Sequence, residues 1–66
     1  MDPRYPTIKV KLVGEDSNVF NMVGLVTKAL RKNEIPEAQI EEFTAEVFGG
    51  DYNHALQTCM KWVEVD

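Results

Sequence analysis

Hydrophobic and polar residues change their spacing several times along this chain, and each change marks an element. Over Thr7–Val13 they alternate, with Ile8, Val10 and Leu12 on one side and Thr7, Lys9 and Lys11 on the other. A period of two with β-branched residues predicts a half-buried strand, and Pro6 just before it suits a strand's first residues. Gly14–Asn18 (GEDSN) reads as a turn, with Asp16 or Ser17 available as a helix cap. From Val19 the period lengthens. Val19, Met22, Val23, Val26, Ala29 and Leu30 fall on one face of a helix that ends near Lys32 or Asn33. Lys28, Arg31 and Lys32 in its last turns suit the negative end of the helix dipole.

Pro36 opens a second helix, with Ile35 and Ile40 spaced as a hydrophobic staple. Its apolar stripe is Ile40, Phe43 and Val47, its outer face is Glu37, Glu41 and Glu42, and Gly49-Gly50 is expected to stop it in left-handed geometry. Asp51 caps a third helix with the stripe Tyr52, Ala55, Leu56, Cys59, Met60 and Val63. The tail from Trp62 to Val65 alternates and reads as a short closing strand beside the first. The expected fold is α+β: an N-terminal strand, three helices and a short C-terminal strand, in one domain spanning residues 1–66.

Such a two-stranded sheet is marginal in water, and its edges invite a further strand. The first helix is also apolar over more than one side, through Val19, Phe20, Met22, Val23, Leu25 and Val26. Gly24 in its middle costs about 1 kcal/mol relative to Ala, which a close approach of another element or subunit would explain. These features predict a homodimer or higher oligomer, with Met22, Gly24, Leu25, Trp62 and Val65 at the interface.

Size and charge narrow the functions. At 66 residues the chain buries only roughly 60% of the surface its unfolded form exposes. Lone Cys59 cannot form an internal disulfide. No run approaches the ~18 apolar residues of a membrane span, and the opening MDPRYPTIKV lacks a signal-peptide layout, so a cytoplasmic protein is expected. The net charge of −4 is unevenly spread: residues 1–35 carry +2 and residues 36–66 carry −6. Direct nucleic-acid binding is not expected, because the second helix is acidic where a recognition helix would be basic.

Catalytic and metal chemistry find little support. Cys59 and His54 share a helix but point about 140° apart, at roughly 100° per residue. No pair of His or Cys has zinc spacing, so no metal or other cofactor is expected. Glu15-Asp16 and Glu41-Glu42 read as capping or solvated acids. His54, three residues past Asp51, either sits as a plain surface histidine or faces a ligand, kept neutral by the helix dipole. At the strand–turn–helix junction Asn18 could read an amide or base edge and Phe20 could stack on it, or the two serve as cap and core. Lys9 and Lys11, doubled in an oligomer, would add a basic patch for a phosphate-bearing molecule.

The series Val10, Leu12, Gly14, Asp16, Asn18, Phe20, with Asp51-Tyr52, Leu56 and the ending Trp62-Val63-x-Val65, resembles a group of short bacterial, plasmid and phage proteins without an assigned activity. That group commonly has glycine where this chain has Ser17. The resemblance implies a compact accessory protein of a mobile element and names no reaction. The expected function is therefore a non-enzymatic oligomer that sequesters a nucleotide-like anion between subunits, at Asn18, Phe20, Lys9, Lys11 and His54. Its rival is an acidic inhibitor or adaptor that covers a basic surface of a host protein.

Overall fold

The structure is a computed structural model, and it describes residues 2–12 and 18–65. Strand β1 (Tyr5–Val10) is followed by helices α1 (Val19–Lys32), α2 (Glu37–Val47) and α3 (Tyr52–Trp62), and strand β2 (Val63–Val65) closes the chain. The two strands pair in parallel, Tyr5 opposite Val63, Lys9 opposite Glu64 and Val10 opposite Val65, with an irregularity between Tyr5 and Lys9. Parallel neighbours need a long crossover. Here all three helices supply it. The α+β order is as the sequence pattern predicts, and among the described residues no helix is long and apolar enough to cross a membrane.

The first strand begins two residues earlier than expected and ends at Val10, so that Pro6 lies inside it and Lys11 and Leu12 follow it. Proline is tolerated because the sheet has only two strands, each with an open edge. Val13 and the turn residues 14–17 lie outside the described residues. The cap of α1 is neither Asp16 nor Ser17 but Asn18, whose Oδ1 accepts the Phe20 N–H at 2.8 Å.

The core lies between the sheet and the helices. Ile8 and Val10 of β1, Met22, Val23, Val26 and Leu30 of α1, and Ile40, Phe43 and Val47 of α2 are buried as their spacing predicts. The face of α3 is rotated from the expected one. Ala55, Cys59 and Val63 are buried and Leu56 packs against the core as expected, but Thr58 and Trp62 are buried with them, while Tyr52 and Met60 are exposed. Thr58 satisfies its hydroxyl on the His54 carbonyl at 2.8 Å, which makes a polar residue tolerable inside. Met22 and Trp62, expected between subunits, are buried within the single chain at 5% and 1% exposure. Gly24 is exposed, and Leu25 and Val65 are half-buried.

Helix ends also depart from expectation. Neither Gly49 nor Gly50 has a positive φ; the left-handed residue is Glu34, at φ 60°, just beyond α1. The Glu34 N–H bonds the Arg31 carbonyl and the Ile35 N–H bonds the Leu30 carbonyl, both at 3.0 Å. That is a Schellman cap built on a non-glycine residue. An L-residue pays about 1–2 kcal/mol in this conformation. The Glu34 carboxylate also sits at the negative end of the helix dipole. Glu34→Gly should therefore raise stability by about 1 kcal/mol, less the entropy glycine adds to the unfolded chain, read as a higher urea midpoint. A lower midpoint would show that the Glu34 side chain contributes more than its backbone strain costs.

Candidate functional site

Phe20 occupies the first turn of α1, outside the buried stripe of that helix, and is 74% exposed. Phe48, the residue that ends α2, is 44% exposed. Their ring centroids lie 5.3 Å apart and the rings are tilted at 42°, within the contact range of aromatic pairs. Two aromatic faces from separate helices thus form one apolar patch beside the start of α1. The first turn of α1 carries no acidic residue.

Immediately past Phe48 the chain turns through Gly49 and Gly50 into α3. His54 closes this turn. Its backbone N–H donates to Asp51 Oδ1 at 2.9 Å, and its Nε2 lies 2.7 Å from the Glu46 carbonyl. A carbonyl only accepts, so Nε2 carries the proton. The ring also covers Gly50, where a Cβ would come within 2.7 Å of His54 Cγ. The glycine is required for the closeness of the ring and not for its φ. His54 therefore acts as a clasp between the end of α2 and the start of α3.

Glu46 gathers several contacts at once. Oε1 accepts the Trp62 indole N–H at 3.0 Å, Oε2 pairs with Lys61 Nζ at 2.8 Å, and the backbone carbonyl takes the histidine. The hydrogen bonds from Lys61 and then Trp62 hold its carboxyl below the ordinary value of 4.5, outweighing burial, which raises it. On the other side of the indole the Arg4 guanidinium lies 3.9 Å from the ring centroid. Arg4 Nη1 donates to Gln39 Oε1 at 2.9 Å and pairs with Glu42 at 3.0 Å. Beside this cluster Asp2, Arg4, Gln57, Met60 and Lys61 line an open groove of ≈ 630 Å³.

The charge split along the sequence does not persist in space. Arg4 and Arg31 from the basic half meet Glu42 and Glu37 of α2, and Lys61 meets Glu46. The outer face of α2 is thereby partly neutralised within the chain.

Of the residues singled out for a ligand, the structure joins Asn18 to Phe20 and links that pair, through Phe48 and the glycine turn, to His54. Lys9 and Lys11 are exposed on β1 and just after it, and neither forms an ion pair among the described residues. Cys59 is fully buried, and desolvation pushes its thiol up to about 11, so it offers no thiolate near neutral pH. Among the described residues no group of three or more His, Cys, Asp or Glu is placed to hold a metal ion. Phe48 is the member that sequence reasoning missed. Its signal was an apolar residue one step off the α2 stripe, directly before two glycines. Comparison with protein-family models, curated proteins and solved structures finds no match to this chain.

A pH dependence follows from Glu46. Its folded-state carboxyl titrates below its unfolded value, so the stabilisation is complete above about pH 4.5 and is lost as pH falls through the lower, folded value. Wild type should exceed Glu46→Gln in urea midpoint by a constant margin at neutral pH, and the margin should shrink below about pH 4.5. A margin unchanged down to pH 3 would show that the charge of Glu46 does not matter.

Proposed function

We propose that the protein is a small non-enzymatic binding protein that works as a homo-oligomer and holds an anionic, nucleotide-like molecule against the Phe20–Phe48 pair. The observation that carries this reading is the pair itself: two phenylalanine rings in tilted contact left at the surface, while the third phenylalanine, Phe43, and Trp62 fill the core. Exposed aromatic faces stack nucleobases with little regard to their identity, at about 1–3 kcal/mol per base. The N-terminal end of α1 beside them favours negative charge, and its first turn adds no carboxylate against it.

Within this reading the residues divide by role. Phe20 and Phe48 are the stacking surface. Asn18 holds the helix start through Oδ1, and His54 holds the turn that carries Phe48. Lys9 and Lys11 form a separate exposed strand face that could steer an anion without touching the rings. The rival reading, an acidic inhibitor, is weakened by the ion pairs of Glu37, Glu42 and Glu46, which lower the charge α2 offers to a partner.

Native mass spectrometry of protein purified gently from cells, followed by thermal-shift titration with mono-, di- and cyclic nucleotides, tests the proposal. A fixed extra mass per oligomer, or a melting temperature that rises with nucleotide, is the expected result. Phe20→Ala should keep the fold, because the ring is mostly exposed, and weaken binding by about tenfold or more. Unchanged affinity in Phe20→Ala, or no response to any nucleotide, would overturn it.

A further inference from the structure

We infer that a second copy of this chain docks on the exposed side of α1, antiparallel to it, with Gly24 at the crossing and each Phe20 facing the partner's Lys28. The first support is Gly24. It is exposed in mid-helix, and a Cβ built there would meet nothing within 4 Å, so no contact among the described residues accounts for a residue that costs the helix about 1 kcal/mol. At a helix crossing, glycine lets two axes approach more closely than the usual 8–10 Å.

The second support is the order of residues around it. Phe20, Gly24 and Lys28 are all exposed and stand four apart, on one side of α1. Rotation about a two-fold axis through Gly24 sets position 24 + n of one helix against 24 − n of the other. Lys28 then meets the partner's Phe20, twice per dimer, as a cation over an aromatic face. Among the described residues Lys28 forms no ion pair; the cations in those pairs are Arg4, Arg31 and Lys61. Strand addition is the competing route to a dimer, and β1 discourages it, since Pro6 has no N–H to donate and Lys9 is exposed beside it.

The dimer also completes the ligand site. In one chain Lys28 lies eight residues from Phe20, about 12 Å along the helix axis, too far for its ammonium to sit over that ring. In the dimer the partner's Lys28 comes up to Phe20, which places an ammonium beside a base stacked on Phe48. This last step rests on the function proposed above; the docking surface does not.

Sedimentation velocity on wild type, Gly24→Leu and Lys28→Glu, with oxidation of Gly24→Cys, tests the inference. Wild type should sediment as a dimer, and Gly24→Leu should weaken it by about tenfold or more while the fold is kept or stabilised, because leucine suits an exposed helix position better than glycine. Lys28→Glu should weaken it in the same direction. Gly24→Cys should oxidise to a disulfide-linked dimer, which requires Cα atoms within about 7 Å across the crossing; buried Cys59 does not compete. A wild-type monomer, or a dimer indifferent to Gly24→Leu, would overturn the docking. A dimer broken by Gly24→Leu that binds no nucleotide would support the docking and remove the ligand reading. Full nucleotide affinity in monomeric Gly24→Leu would overturn the composite site and leave the ligand reading standing.

Discussion

The indole of Trp62 and the carboxylate of Glu46 make the contact on which the rest of this small structure depends. Trp62 is the last residue of α3 and the one before β2, and its ring is 1% exposed. An indole buried that deeply must satisfy its N–H, and Glu46 does so from the preceding helix at 3.0 Å. The edge-on contact with Phe43 at 5.6 Å, the tilted contact with Tyr5 at 6.1 Å and the Arg4 guanidinium surround the same ring. One side chain therefore ties α2, α3, β1 and the segment before β1 together. It also aims the chain into β2, a three-residue strand whose two-stranded ladder would be marginal without such an anchor.

That anchor explains which features were legible in the sequence. The α2 stripe of Ile40, Phe43 and Val47 follows from periodicity alone, because that helix has a single buried face, while Pro36 and Asp51 mark where the second and third helices start. The α3 face was legible only in part. Hydropathy puts Tyr52 and Met60 inside, whereas the volume and the hydrogen bond of Trp62 turn the helix until Thr58 is buried instead. Residue preferences for turns were less reliable still. The left-handed position fell on Glu34, and of the two glycines expected to take it, Gly50 serves to admit the His54 ring. Both outcomes depend on partners distant in sequence, which local rules do not see.

Charge behaves in the same way. Read linearly, the chain has a basic half and an acidic half. Folding brings them together as Arg4–Glu42 and Arg31–Glu37, and Lys61–Glu46 adds a pair within the acidic half; such surface pairs are each worth only a fraction of a kcal/mol, and their main effect is to remove charge from the surface. What the folded chain then presents is the Phe20–Phe48 pair and the Gly24–Lys28 side of α1. Phe20 was legible as a candidate from its place at the helix start. Phe48 was not, because its value comes from a ring on another helix.

The most direct measurement is a double-mutant cycle across the anchoring contact, with Glu46→Ala, Trp62→Phe and the pair compared by urea unfolding. If the indole and the carboxylate hold each other, the two substitutions will be non-additive by about 1 kcal/mol or more. Additivity within about 0.3–0.5 kcal/mol would contradict the account and leave Trp62 as a bulky core residue with no special claim on Glu46.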